Sequence, residues 1–383
     1  LVVNMIDGFD VLAIAFTAPQ IAREWDLDPA DLGVLFSAGL AGMTAGSLLL
    51  GPLGDRIGRR PIVIYALVVV TIGMLWAAFT DSVPELTAAR FVTGLGIGAV
   101  LPSLNSLVAE YTSARRREFA ISVMQVGYPI GATLGGTVAA VIIAEVGWRG
   151  VFIMGAAVSL AMLPVVWRAL PESIDFLLDK RPNADQTRRL IERLALTDVA
   201  RNHADQASPA PRPKLPLRSM LLISGAFFIV MFSFYFLLSW TPNTLVEAGL
   251  GLEQGISGGV LMNVGGIVGA TFLGAVAFRL GATRLLATYM VVTCGLAALF
   301  GYTLGADLGL LLAIAFAIGF FVFGSMVGLY AVTPSYLPSH LRATGTGIAI
   351  GVGRIGAILG PLLAGLALAA GWSPTTGYVV FAL

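Results

Sequence analysis

Charge is what this chain has least of. Of its 383 residues only 12% are Asp, Glu, Lys or Arg, while 57% are hydrophobic; a soluble domain carries roughly 25% charged residues. So few charges cannot cover a water-facing surface, and the mean hydropathy of +0.87 agrees that this is a membrane protein. Cysteine is nearly absent, and the single Cys294 excludes an intrachain disulfide. There is no metal-spaced Cys/His cluster, no phosphate-cradling loop with Lys and Ser/Thr, and no nucleophile–base pattern of an enzyme. His203 and His340 fall in loops as ordinary residues. The net charge of +1, with basic residues dispersed at segment ends, gives no footing for nucleic acid. The first apolar stretch holds two Asp and no small-residue cleavage site, so it is not a secretory signal. The chain begins without Met and stops inside "TGYVVFAL", so both natural termini are expected to lie beyond it.

What is present is a series of apolar segments of membrane-crossing length, about 20 residues each. They are expected at 1–22, 31–53, 61–80, 84–109, 117–144, 148–169, 218–246, 254–278, 284–304, 308–336 and 342–370, with a truncated twelfth from about 374. Most links are short. The exception, 171–217, is charged and Pro-containing, and it divides the chain into an N-terminal six-helix bundle (1–170), a central loop (171–217) and a C-terminal six-helix bundle (218–383). One set of links is basic: Arg56, Arg59 and Arg60; Arg115, Arg116 and Arg117; Arg279 and Arg284; Arg342; and eight more Lys and Arg in the central loop. The opposite links ("REWDLDPAD", "TDSVPE", "EVGWRG", "EAGLGLEQG") are acidic or neutral. Basic loops stay in the cytoplasm, which puts the termini and the central loop on the cytoplasmic side.

The halves are copies. At an offset of 225, "EYTSARRREFAISVMQVGYPIGATLGG" aligns with "SYLPSHLRATGTGIAIGVGRIGAILGP", matching Tyr111 with Tyr336, Arg117 with Arg342, Gly131 with Gly356 and Gly135 with Gly360. At an offset of 223, "GPLGDRIGRR" meets the weaker "GAVAFRLGAT". Parallel repeats around a midplane site are the architecture of an alternating-access carrier. The expected fold is therefore an all-α membrane protein of twelve transmembrane helices in two pseudo-symmetric six-helix bundles. With no ATP-binding loop, energy comes from an ion gradient and no cofactor is expected.

These residues resemble the major facilitator superfamily along essentially the whole chain. "GPLGDRIGRRP" is similar to its signature loop between helices two and three, "RFVTGLGIGAVLP" to its fourth-helix Arg motif, and "YLPSHLRATGTGIAIGVGRIGAILGP" to the eleventh helix of its organic-acid and sugar branches. The first-helix "DGFD" together with Arg354 is most like the aromatic acid:proton symporters. That resemblance implies import of benzoate- or hydroxybenzoate-type carboxylates with protons across a bacterial-type inner membrane. The partners it implies are the aromatic acid, protons and the bilayer, with a monomer as the working unit. The alternatives on the same scaffold are a carrier of another organic anion or a sugar, or a non-transporting sensor. In the second signature loop Phe278 replaces the usual acidic residue.

Four charged residues lie clearly within spans: Asp7, Asp10, Arg90 and Arg354. Each costs roughly 2.5–3.5 kcal/mol at the bilayer centre on insertion scales, so each needs a partner, water or a task. At about 1.5 Å per residue, Asp10 and Arg354 both lie roughly 18 Å from a membrane surface, one in each half, with Asp7 one turn from Asp10 on the same helix face. Gly8 between the two Asp is expected to permit irregular backbone along a cavity. Burial disfavours the charged carboxylate and a nearby cation favours it, so Asp7 and Asp10 suit proton carriage. Arginine stays charged and its planar fork suits a bidentate carboxylate, so Arg354 is assigned to the substrate's acid group, with Asp10 beside it. The alternative is that Asp10 and Arg354 only neutralise each other. For Arg90 the resemblance implies proton coupling, and a structural Arg bonded to helix carbonyls is the alternative. Asp55, Arg56, Arg59, Glu110 and Arg117 are expected to form a gate that latches the halves on the cytoplasmic side; an ordinary solvated cluster is the alternative. Phe232 and Tyr235 supply candidate rings for stacking on an aromatic substrate, unless that run faces lipid. Gln125 and Tyr128 are candidates to bond a ring hydroxyl. "GATLGG" and "GAILGP" are expected to be close-packing surfaces.

Overall fold

A computed structural model describes residues 1–113, 116–180, 217–337 and 342–381, with the side chains of 117–119, 122, 179, 278–280, 334–335 and 342–344 outside that description. Its helices are α1 (Val2–Trp25), α2 (Pro29–Leu49), α3 (Leu53–Ile57), α4 (Arg59–Ala78), α5 (Val83–Tyr111), α6 (Arg117–Val146), α7 (Trp148–Ala169), α8 (Ile174–Lys180), α9 (Leu217–Glu247), α10 (Leu252–Leu280), α11 (Ala282–Tyr302), α12 (Leu308–Val332), α13 (Arg342–Ala369) and α14 (Pro374–Phe381). Among the described residues, eleven helices are long and apolar enough to cross a membrane. Local chemistry sets their ends. Asp28 caps α2 by accepting from the Asp31 N–H at 2.9 Å, ahead of Pro29 at the first helical turn. Asp307 caps α12 in the same way through Leu310.

The two halves repeat each other in packing as in sequence. In the first, α1 packs on α6, α2 on α5, and α4 on both α5 and α7. In the second, α9 packs on α13, α10 on α12, and α11 on both α12 and α14. Matched glycines allow both sets of contacts. A Cβ on Gly131 would collide with the Met5 carbonyl of α1, and one on Gly356 with the Phe228 carbonyl of α9. Gly42 lies against the Phe91 carbonyl, as Gly265 lies against that of Phe316. The glycine-rich runs are thus packing surfaces, as expected. Small residues let membrane helices approach closely where lipid gives no hydrophobic drive to associate.

The halves also meet each other. Gly33 of α2 abuts the Pro361 and Leu362 carbonyls of α13, and Ser37 donates to the Ile358 carbonyl at 2.8 Å. Phe36 meets Trp240 edge-on at 5.3 Å, and the Trp240 indole N–H donates to the Pro361 carbonyl at 3.1 Å. Gly136 and Gly259 close on Phe16. All these contacts lie on the acidic-loop side of Asp10 and Arg354. Between described residues, no hydrogen bond or ion pair joins the halves on the basic-loop side.

Two expectations change. Helix α1 runs unbroken through Gly8, so the glycine does not loosen the backbone; it lets α1 touch the Tyr128 carbonyl of α6. The central segment also opens with the short helix α8 rather than loop. The packing carries a prediction: Gly131→Val should overpack α1 against α6 at a cost of about 2 kcal/mol. That is a melting temperature lower by roughly 5 °C, at about 2–4 °C per kcal/mol. Gly295→Ala, which meets nothing within 4 Å, should leave it unchanged in the same detergent melt.

Candidate functional site

The acidic face of α1 points into the protein: Asn4, Asp7 and Asp10 are all buried, Asp10 to 1% exposure. Asp10 is fully engaged. The Arg90 guanidinium on α5 donates from Nη1 to Asp10 Oδ1 at 2.6 Å, and from Nη2 to Oδ2 at 3.2 Å and to the Asp10 carbonyl at 2.9 Å. Arg90 is also 1% exposed and stands 5.9 Å from the Phe152 ring. Gly39 leaves room for this guanidinium, since a Cβ there would lie 3.3 Å from Nη2. A void of about 10 Å³ beside the pair, lined by Phe36, Gly39 and Met43 among others, is at the lower limit for one water. The alternative of an Asp10–Arg354 pair is therefore not what the structure holds, and Asp10 does not lie open beside Arg354 as expected: it is paired with Arg90. The two readings of Arg90 turn out to share one geometry, carboxylate and carbonyl held by the same fork.

Asp7 faces a different neighbourhood. Its charge interacts with Arg354 as well as with Asp10, and its Oδ1 is buried without a hydrogen-bond partner. Arg354, half-buried on α13, likewise has its Nη1 buried and unpartnered. Three tyrosines complete the cluster. Tyr128 on α6 interacts with Tyr235, Asp7 and Arg354, and its hydroxyl is buried and unpartnered. Tyr235 on α9 interacts with Arg354, Tyr330 and Asp7. Tyr330 on α12, with its ring 5.3 Å from that of Phe227, interacts with Arg354. The arrangement offers one guanidinium fork, one carboxylate and three phenols drawn from five helices of both halves. It suits an anion with an aromatic body and polar substituents.

Other expected site residues fall elsewhere. Phe232 stacks on Phe228 at 6.1 Å and on Phe381 of α14 at 5.7 Å, so its ring serves helix packing. Gln125 is exposed on α6, where its carbonyl accepts from Asn4 at 3.5 Å. Tyr330 was missed, because nothing in the apolar "GSMVGLYAV" marks which face of its helix turns inward.

The gate residues cluster, but within one half. Arg59 reaches Asp55 at 3.3 Å and Glu110 at 3.7 Å. Glu110 accepts from the Ser173 hydroxyl at 3.1 Å and the Ile174 N–H at 2.7 Å, at the start of α8. Glu172 accepts from the Arg59 N–H at 2.8 Å and the Arg60 N–H at 3.2 Å. Arg56 is exposed. The Arg117, Phe278, Arg279 and Arg342 side chains, and His203, His340 and Leu341, lie outside the described residues. Among those described, the cluster ties α3, α4, α5 and α8 together within the N-terminal half.

The family model described as Major Facilitator Superfamily matches residues 1–361. The chain belongs to the major facilitator superfamily. Similar superfamily proteins include the gallate transporter of Pseudomonas putida, 33% identical over 379 residues, covering 96% of this chain and 84% of that one. The 3-(3-hydroxy-phenyl)propionate transporter of Escherichia coli is 35% identical over 370 residues, covering 96% and 85%. Among solved structures, the inward open xylose transporter XylE from E. coli shares the fold with a TM-score of 0.79 at 16% identity, covering 100% of this chain and 92% of that one. The chain is thus a transporter rather than an enzyme.

The buried pair makes a stability prediction. Asp10→Asn strands the Arg90 cation and should cost about 3–5 kcal/mol, the price of breaking a buried pair from one side. Asp7→Asn, which removes no hydrogen bond found in the structure, should cost much less. Unfolding of the purified proteins in one detergent compares them; equal losses would deny the pair its structural weight.

Proposed function

We propose that this superfamily member is a proton-coupled symporter that carries small aromatic carboxylates, of benzoate or hydroxybenzoate type, across a bacterial inner membrane. The observation that carries the reading is the Arg354 guanidinium, with one nitrogen buried and unpartnered amid Asp7 and three tyrosines. The names of the similar proteins, transporters of gallate and of a hydroxyphenylpropionate, support the substrate class. The basic loops face the cytoplasm by the positive-inside rule. The protein works as a monomer without a cofactor.

The mechanism follows from which carboxylate is free. Asp10 is held by three hydrogen bonds from Arg90, so it anchors α1 to α5. Asp7 is the carboxylate that shares Arg354 with the substrate. With the site empty, ionised Asp7 and Arg354 balance each other. When a substrate carboxylate takes the two-pronged fork, a second negative charge beside it becomes costly, and Asp7 holds a proton. Substrate and proton thus occupy the site together. Tyr128, Tyr235 and Tyr330 orient the ring and bond its hydroxyl groups. Rocking of the two bundles about the site then exposes it to the other side. Cytoplasmic release of the substrate lets Asp7 lose its proton again. The cluster of Asp55, Arg59 and Glu110 with the start of α8 stiffens the cytoplasmic end of the N-terminal half and sets the balance between the two states.

Two substitutions test this. Arg354→Lys keeps the charge but loses the fork and should weaken benzoate-type binding at least about tenfold, the equivalent of roughly 1.4 kcal/mol; affinity within twofold of the parent would remove Arg354 from the carboxylate site. Asp7→Asn should abolish proton-driven accumulation in vesicles yet keep exchange of internal for external substrate. A variant that still concentrates substrate against its gradient would move the proton role to another group.

A further inference from the structure

On the outer flank of the N-terminal half, away from the central site, α4 and α7 leave a groove of about 530 Å³ between them. It is lined by Ile64, Val68, Leu163, Pro164, Trp167 and Arg168. On α4, Arg60, Ile64 and Val68 recur every four residues and so share one face. On α7, Leu163 and Trp167 do the same, with Arg168 next to the tryptophan. The groove is therefore apolar along its length and cationic at one end, the end that carries the basic loops. Val68 is 36% and Trp167 63% exposed, on helices long and apolar enough to span a bilayer; an exposed tryptophan there suits the membrane–water interface.

The two arginines are not neutralised locally. Arg60 donates from Nη2 to the Trp167 carbonyl, lies 6.0 Å from the Trp167 ring and keeps its Nε buried without a partner. Neither Arg60 nor Arg168 pairs with a carboxylate among the described residues. The carboxylate of Glu172 nearby accepts instead from the backbone N–H groups of Arg59, Arg60 and Ser173. From Arg60 to Val68 the groove descends about 12 Å at 1.5 Å per residue, close to the roughly 15 Å depth of one leaflet's hydrocarbon.

We propose that this groove binds an anionic phospholipid, its phosphate between Arg60 and Arg168 and one acyl chain along Ile64, Val68, Leu163 and Pro164. The charge decides the occupant. A zwitterionic lipid fits the apolar part equally well but brings a cation to two unpaired guanidinium groups, whereas phosphatidylglycerol brings net negative charge. Basic sites between helix ends favour anionic headgroups by about fivefold per arginine.

Native mass spectrometry of the purified chain, titrated with phosphatidylglycerol or with phosphatidylcholine, tests the site. The parent should retain phosphatidylglycerol preferentially. Arg168→Gln should reduce that retention about fivefold and Arg60→Gln/Arg168→Gln at least about tenfold. Arg218→Gln/Arg284→Gln, which removes the same charge from the other half, should leave it within twofold. Val68→Trp, which fills the groove without touching charge, should reduce retention too, and inorganic phosphate should not displace the lipid. Equal retention of the two lipids, or equal losses in both double variants, would overturn the site, as would displacement by phosphate.

Discussion

The rest of the structure turns on the buried contact between Asp10 and Arg90. Two charges at 1% exposure in a protein this apolar survive only because one fork satisfies both carboxylate oxygens and the backbone carbonyl of the same residue. Isolated, either charge would be strongly unfavourable in hydrocarbon; paired, with both carboxylate oxygens satisfied and only the Arg90 Nε left without a partner, much of the desolvation is offset. The pair fixes the height of α1 against α5. A carboxylate held this way is closed to other partners, whereas Asp7, a turn away, keeps an oxygen without a partner.

Around that contact the helix packing sets the geometry of the site. Gly8 brings α1 onto the carbonyl of Tyr128, which places the Tyr128 hydroxyl and Asp7 in one electrostatic neighbourhood. Gly356 and Gly360 do for α13 and α9 what Gly131 and Gly135 do for α6 and α1, setting Arg354 against Tyr235 across the matching interface. Close packing repeats in each half, and the described hydrogen bond between the halves, from Ser37 to the Ile358 carbonyl, lies on the acidic-loop side. Two such bundles with a charged cluster between them are the arrangement of an alternating-access carrier.

Much of this was legible in the sequence, for identifiable reasons. Span positions followed from apolar length, and the repeat followed from matched glycines whose contacts are the same in both halves. Membership of the superfamily followed from "GPLGDRIGRRP" and its companions. Pairing was harder. Depth along each helix put Asp10 level with Arg354, but rise per residue ignores helix tilt and the reach of a guanidinium. Facing direction across three helices decides the partner, and no spacing within one helix encodes it. The same limit hid Tyr330 and misplaced Phe232, whose ring stacks with residues of α9 and α14. The gate residues were found as a cluster, yet their partner α8 lay in a stretch that composition alone marked as loop.

The central proposal is that a substrate carboxylate on the Arg354 fork makes a second negative charge at Asp7 costly, so that Asp7 takes up a proton. Proton uptake on binding measures it most directly. Purified protein in weakly buffered detergent solution, mixed with a benzoate-type anion at a pH where Asp7 is ionised, should take up close to one proton per substrate bound. The Asp7→Asn protein should bind the anion with no uptake. Binding by the parent without proton uptake, or undiminished uptake by Asp7→Asn, would contradict the account.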